Sequence, residues 1–428
     1  MGCLLKKSAD RVAGAANLGF EGNVTSPILT FFKKSFDLCG VSFQECRETQ
    51  RLSRLFPVIM EPFKNHFSFS NVRRIADSLK RVHPPFSVPR FCRGLEAALE
   101  PLELKQRMHL IADRLEAGLP THPPDLFAIL SQTLAKDAHD PKGLRGFLVW
   151  PLSEIVARRG LEHFDEAMSI LIELTRCFTA EFAIRPFLRV DPERTLKQLH
   201  AWCGHPDEHV RRLVSEGSRP LLPWGGNLPD LLAPPHPTLK LLEKLHRDPS
   251  DYVRLSVSNH LNDFSKHHPE LVIQTLTRWL KRAPNDVRVG KIARHACRTL
   301  LKAGHPGALA LHGYGDSKSI ELMTCELAPS TVKLGDALAY RLVVRNRTRH
   351  PLKVMFDYAL HHQKANGMLS PKVFKGRTRE LAAGERWEIT GNHSLKPITT
   401  RVYYAGLHRF VPQLNGQSSP PLDFTLVV

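Results

Sequence analysis

The sequence holds no C-x-x-C pair. Its eight cysteines, Cys3, Cys39, Cys46, Cys92, Cys177, Cys203, Cys297 and Cys325, stand at spacings unlike any zinc site. That excludes the common zinc modules and reads as reduced thiols in a cytoplasmic protein. No apolar run approaches the roughly 20 residues that span a bilayer, so a membrane is not an expected partner. The opening MGCLLKKSADRV lacks the long apolar core of a secretory signal. Met1-Gly2-Cys3 hints at acylation, but Lys6 stands where that pattern wants Ser or Thr. There is no glycine-rich phosphate loop and no nucleophile-elbow serine, which leaves hydrolases of those classes unsupported. Among the 22 histidines, pairs such as His267-His268 and His361-His362 lack companion ligands at convincing spacing and read as surface histidines. Neither a metal nor an organic cofactor is expected.

What the chain has is positive charge. Sixty Lys and Arg against 42 Asp and Glu give a formal +18, spread along most of its 428 residues. Such a balance favours an extended polyanion, and nucleic acid leads that list. An apolar fraction of 42% suits an ordinary globular protein of two or three domains.

Residues 1–59 show only short apolar pieces such as Ile28-Leu29-Thr30-Phe31-Phe32. They read as an extension, disordered or preceding the true start. From 60 to about 315, helical patterns alternate with Pro-containing turns. HPDEHVRRLVSEGSRP from His205 and DPSDYVRLSVSNHLND from Asp248 are plainly related; APNDVRVGKIARHACRTLLKAGHP from Ala283 and FSNVRRIADSLKRVHPP from Phe69 repeat the opening. A turn, an acid, Val-Arg and a helix recurring every roughly 35 to 45 residues predicts a HEAT-like α-solenoid, whose units bury their apolar faces by stacking. Val210, Val253 and Val287 would face the core, while Arg211, Arg254 and Arg288 emerge at one edge as a basic rail. From 319 to 428 the period becomes two. Strands are expected at 337–344, 352–356, 387–389, 402–404 and 424–427, with Gly335, Asn366-Gly367, Gly384 and Asn415-Gly416 as turns. This is the pattern of a small immunoglobulin-like β-sandwich. Arg345, Arg347, Arg349, Lys372, Lys375, Arg377 and Arg379 near its strand ends make it a second basic surface.

Three acids and one aromatic stand out. On a helix drawn over 164–184, Ala167, Ile170, Leu171, Leu174, Cys177 and Phe178 form the apolar stripe and Glu181 falls on its centre. A structural Glu paired to a neighbour and a fixed functional anion are equally good readings there. On the helix from Asp251, Val253, Val257, Leu261 and Phe264 make the core stripe. Ser256, Asn259 and Asp263 line its edge, and an amide one turn back would orient the Asp263 carboxylate beside a groove. Glu216 follows Arg212 by one turn, the spacing of a weak ion pair, but its place just before Pro220 favours a site. Trp224, in the Pro/Gly-rich connection LLPWGG, must be either tucked into the solenoid or presented to a partner.

Five stretches in order, EPFKNHFSFSNVRRIADSLK, FTAEFAIRPFL, CGHPDEHVRRLVSEGSRPLLPW, DYVRLSVSNHLNDFSKHHPEL and RHACRTLLKAGHPGALALHGYG, resemble the AlkC group of DNA alkylation repair proteins. The resemblance starts near Met60 and includes the β-module. It implies a HEAT-like-repeat DNA N-glycosylase that removes cationic bases such as 3-methyladenine and 3-methylcytosine from duplex DNA, without a cofactor and as a monomer. The family's carboxylate trio falls on Glu181, Glu216 and Asp263, and its aromatic on Trp224. Arg211, Arg212, Arg219, Arg254, Asn259, Arg288 and Arg294 would contact DNA. The chemistry fits these residue types. An N3-methylated base is already a good leaving group, so preorganised carboxylates need only stabilise positive charge growing on the sugar and orient water. A non-catalytic HEAT adaptor or nucleic-acid-binding module would share the basic surface but not the need for three acids.

Overall fold

The computed structural model describes residues 62–137, 139–398 and 401–428; the extension over 1–59 lies outside them. Helices run from Phe69 to Leu311 and strands from Ile320 to Val427. By internal packing the chain divides into two compact units, the first ending at Ala183 and the second spanning Ile184–Val428. Compactness thus groups the later helices with the β-module.

The first unit carries α1 (Phe69–Val82), α2 (Val88–Cys92), α3 (Leu95–Leu99), α4 (Leu104–Glu116), α5 (Pro123–Thr133), α6 (Trp150–Arg159) and α7 (Phe164–Cys177). In α1, Ser68 caps the first turn by accepting from the Asn71 amide, and Val72, Ile75, Ala76 and Leu79 face inward at helical spacing. The second unit carries α8 (Arg185–Val190), α9 (Pro192–Trp202), α10 (Glu208–Gly217), α11 (Leu239–Leu245), α12 (Asp251–Phe264), α13 (Pro269–Arg282), α14 (Val287–Ala296), α15 (Arg298–Lys302) and α16 (Pro306–Leu311).

The repeated openings seen in the sequence become α10, α12 and α14, and α12 packs between the other two. Each starts on a side-chain cap: Asp207, Ser250 and Asp286 accept from the amides of His209, Tyr252 and Arg288. Three residues past each cap lies the core anchor, Val210, Val253 and Val289, each fully buried. Val287, expected in the core, is instead 71% exposed. The repeat's register is set by the distance from the cap and not by the Val-Arg dipeptide, which slips by two residues in the third copy.

The basic rail is corrected as well. Arg211 grips both Asp248 oxygens at 2.7 and 3.0 Å and donates to the carbonyls of His205 and Pro206. Arg254 is buried, bonded to the Asp248 carbonyl and the Asp251 carboxylate. A guanidinium one residue past the core anchor lies over the preceding turn, where unpaired carbonyls and acids take up its donors. In α14 that position is Gly290. Arg288 folds back on its own cap, bonding Asp286 at 2.9 and 2.8 Å.

The β-module is a two-sheet sandwich. One sheet has the order β1 (Ile320–Ala328), β3 (Ala337–Asn346), β6 (Arg386–Ser394); the other β2 (Thr331–Lys333), β9 (Leu422–Val427), β7 (Gly406–Leu414), β4 (Leu352–Gln363), β5 (Leu369–Leu381), with β8 (Gln417–Ser418) pairing β7. Leu338, Leu342 and Ile389 from the first meet Phe356, Leu360, Phe410 and Phe424 from the second in one core. Residues 402–404, expected as a strand, are irregular, and Val402 is 70% exposed. Of the histidine pairs, His362 is buried rather than superficial. Lys372, Lys375, Arg377 and Arg379 lie along the exposed edge strand β5 rather than at strand ends, while Arg345 is paired to Glu321.

The sandwich meets the last helices through a hairpin. Asn415 and Gly416, both at positive φ, make the two-residue turn between β7 and β8. The Asn415 amide donates to the carbonyls of Gly315 at 2.8 Å and Lys353 at 3.3 Å. A Cβ on Gly416 would lie 2.0 Å from the Gly304 Cα, in the turn between α15 and α16.

Candidate active site

Two of the three acids come together in the second unit, on α10 and α12. The sequence places Ser256, Asn259 and Asp263 along one stripe, and that stripe is not a solvated edge: all three are buried. It faces the C-terminal end of α10, where Glu216 is 5% exposed and Asp263 2% exposed. Burial of two carboxylates is unfavourable unless each is paired. The pairing comes from Arg219, just past α10. Its Nε and Nη2 donate to the two Asp263 oxygens at 2.9 and 3.1 Å, and its Nη1 donates to Glu216 Oε1 at 2.8 Å. Ser256 donates to Glu216 Oε2 at 2.7 Å, and the Leu221 amide to Asp263 at 3.4 Å. The i, i+4 partner Arg212 also reaches Glu216, at 3.4 Å, and lies over the Tyr252 ring. Ion pair and site are therefore not alternatives at Glu216.

Arg219, expected on DNA, is instead buried between the acids. Asp263 is oriented by this guanidinium and not by Asn259, whose Oδ1 sits 3.0 Å from His295 Nε2. Burial pushes the Asp263 carboxyl above its usual range, with Arg219 opposing. Arg219 is held above its own ordinary value: its burial works the other way but is outweighed by Glu216 and Asp263. Behind them His260, fully buried, bonds the Ser215 carbonyl through Nδ1 at 2.9 Å and Thr238 through Nε2 at 3.2 Å. A carbonyl only accepts, so Nδ1 carries the hydrogen, and burial brings this imidazole down to about 3.

Glu181 lies in the first unit and not on a helix. Helix α7 ends at Cys177, with Phe178 extended at φ −162°, its ring among those of Phe147 and Trp150. The Thr179 hydroxyl then donates to Glu181 Oε2 at 2.9 Å and accepts from the Glu181 amide at 3.3 Å. Such hydroxyl-to-backbone bonding competes with the helical ladder and turns the chain. Glu181 is half-buried in that turn.

Trp224 is presented, not tucked away: it is 51% exposed and its backbone lies in the left-handed region, at φ 66°. For a bulky non-glycine residue that conformation is an outlier that surrounding structure must hold. The holding group, which sequence reasoning misses, is Arg185 at the start of α8. Its Nε donates to Gly225 O at 3.1 Å, Nη2 to Gly226 O at 2.5 Å, and Nη1 to Gly217 O at 2.9 Å and Arg219 O at 2.7 Å. The one signal for it is the arginine of FAIRPF, placed ahead of a proline that starts a helix.

Of the other assigned DNA contacts, Arg294 is exposed and Arg288 partly so. Arg298, on α15, is a further cation of the site: burial lowers its pKa, Arg219 adding to that and Asp263 opposing. Among the described residues no group of His, Cys, Asp or Glu could hold a metal ion, and no helix is long and apolar enough to cross a membrane.

Residues 321–428 match the family model of the C-terminal Ig-like domain of the uncharacterised protein YhaZ. The uncharacterized protein YhaZ of Bacillus subtilis (strain 168) is 37% identical over 366 residues, which make up 85% of this chain and 99% of the relative. The alkylpurine DNA glycosylase AlkC of Pseudomonas fluorescens, solved bound to DNA containing an abasic site analog, is 34% identical. It superposes with a TM-score of 0.79 over 86% of this chain and all of its own. With both relatives spanned over virtually their whole length, by helices that stack in repeats and by the β-sandwich that follows them, the chain belongs to the AlkC and YhaZ family.

Proposed function

We propose that this protein is a DNA glycosylase that excises cationic alkylated bases, 3-methyladenine and 3-methylcytosine among them, from duplex DNA. The observation that carries the reading is the buried acid pair beside an outward-held tryptophan, in a chain similar throughout to an alkylpurine DNA glycosylase. Asp263 and Glu216 stabilise positive charge developing on the sugar and orient the attacking water. Each carboxylate oxygen has two lone pairs; Arg219 and the Leu221 amide share Asp263 Oδ2, and Arg219 uses one pair on Oδ1, leaving the other. A cationic centre can then approach without displacing the guanidinium. Removing one such interaction costs on the order of 3 to 4 kcal/mol of barrier, by analogy with oxyanion-hole deletions. Trp224 offers a face to the cationic base, worth about 1 to 2 kcal/mol once desolvated. Neutral bases gain less from either, so charge supplies the selectivity.

The helical region over 60–315 carries catalysis in this reading, and the sandwich over 319–428 grips backbone through Lys372, Lys375 and Arg377, with Arg288 and Arg294 on the helical side. The protein acts as a cytoplasmic monomer. The deciding assay incubates it with duplex DNA treated with a methylating agent and analyses the released bases. Free methylated bases and matching abasic sites are expected; tight binding with no base released would leave a nucleic-acid-binding module instead.

A further inference from the structure

The four carbonyls that Arg185 collects are not scattered. Gly217 and Arg219 flank one end of the connection after α10, and Gly225 and Gly226 the other, so one buried side chain closes the segment that carries both Arg219 and Trp224. Arg185 is 1% exposed. Four acceptors arranged around one planar group suit a guanidinium, with five N–H donors in a fixed fork; an ammonium has three donors at one point. The glycines complete the fit. A Cβ on Gly225 would come within 2.8 Å of Leu222 Cδ2 and 3.2 Å of Arg185 Cδ, and Gly226 has φ 70° with the Arg189 guanidinium 3.1 Å from its would-be Cβ.

We infer that Arg185 is a positioning residue for base excision: by clamping the Gly217–Gly226 connection it keeps the Trp224 ring outward, against the backbone preference of a tryptophan. Four hydrogen bonds from Arg185 to this connection end on main-chain carbonyls, and through them it acts on the loop. The excision arm of the test rests on the glycosylase reading, and the fluorescence arm does not.

Trp150, Trp202, Trp279 and Trp387 are each under 8% exposed, so Trp224 dominates quenching by acrylamide, and its share is isolated by subtracting the Trp224→Phe variant. Arg185→Lys keeps the charge and loses the fork. Expected are a higher quenching constant for Trp224, faster local depolarisation, and a fall in single-turnover excision of up to about 5- to 30-fold, the ceiling set by losing the ring's attraction for the cationic base altogether. DNA affinity is kept. In a Trp224→Ala background the same change costs far less, because the two losses share one cause and fail to multiply. Should Arg185→Lys not fold, Gly225→Ala disturbs the clamp from the loop side and is expected to give the same pair of signatures. Unchanged Trp224 quenching, or losses that multiply fully, overturns the inference. A parent protein that releases no methylated base, yet shows the quenching change, sinks the glycosylase reading and leaves the clamp standing.

Discussion

Arg219 and Asp263 face each other through two near-parallel N–H···O bonds of 2.9 and 3.1 Å, while the third donor of the same guanidinium holds Glu216 at 2.8 Å. One cation thus fixes both acids. Each acid is at once a support of the fold and a candidate for the chemistry, and experiments must separate the two.

Asp263→Asn and Glu216→Gln remove one charge each and leave Arg219 short of compensation. Breaking a buried pair costs roughly 3 to 5 kcal/mol, and the retained amide oxygen should bring the loss toward the lower end. Melting and excision are therefore measured together, with excision read well below each variant's midpoint. Folded variants should bind DNA at least as well as the parent, having shed a negative charge, and excise roughly 100- to 1,000-fold more slowly, the effect of deleting one preorganised interaction. Parent-like rates in folded variants would mean the acids are structural only.

Trp224→Gly separates stability from activity in the opposite sense. Glycine adopts φ 66° without penalty, and the ring it deletes is half exposed, so stability should hold or rise by up to about 1 kcal/mol. Excision should drop about 5- to 30-fold, the equivalent of 1 to 2 kcal/mol of cation–π attraction. Calorimetry and single-turnover assays decide; destabilisation with intact excision would assign the ring a packing role.

DNA affinity should weaken steeply with salt. Replacing Lys372, Lys375 and Arg377 on β5 with alanine should flatten the log–log slope by about 0.9 for each phosphate that is no longer neutralised. A slope that stays at the parent value would remove this strand from the interface.

His260 makes stability depend on acid. Its folded value, brought down to about 3 by burial, lies below the ordinary 6.5. Between those values the unfolded chain binds a proton that the folded chain refuses. Unfolding free energy therefore rises with pH there and is lost on acidification, by about 1.4 kcal/mol per pH unit for this one group. Urea titrations from roughly pH 6.5 to 4, inside the window between the two values, should show that share of slope vanish in His260→Gln. Asp263 contributes with the opposite sign: its raised value favours the folded state at low pH, and that contribution is lost as pH rises through it.

Much of this molecule is legible in the residues, and the misses share a cause. Period and turn chemistry place the helices, the change to strands after Gly315 and the Asn415-Gly416 hairpin. Asp263 stands out on a polar stripe edging the core, and Glu216 by its place just before Pro220. Val287 misleads because the Val-Arg dipeptide suggests one register while the interval from cap to anchor, which Val289 keeps, sets another. Glu181 falls on a drawn helix because an apolar stripe continues through Phe178, although Thr179 ends the helix with its own hydroxyl. Strand β5 leaves no alternation to see, being exposed on much of both faces at a sheet edge. What arginines do is least legible. Whether Arg211, Arg219 or Arg185 meets solvent or a buried acceptor is decided by elements roughly 30 to 45 residues away, beyond the reach of any local pattern.

The meeting of Gly304 with Gly416 is closed at main-chain distance, leaving no side chain between helix turn and hairpin to bend or change rotamer. A joint of that kind has no slack. Torque applied to the β-sandwich passes directly into the backbone between α15 and α16, and rotation would first have to break the Asn415 bonds to Gly315 and Lys353. The sandwich is a handle fixed to the last helices, not a weight on a tether.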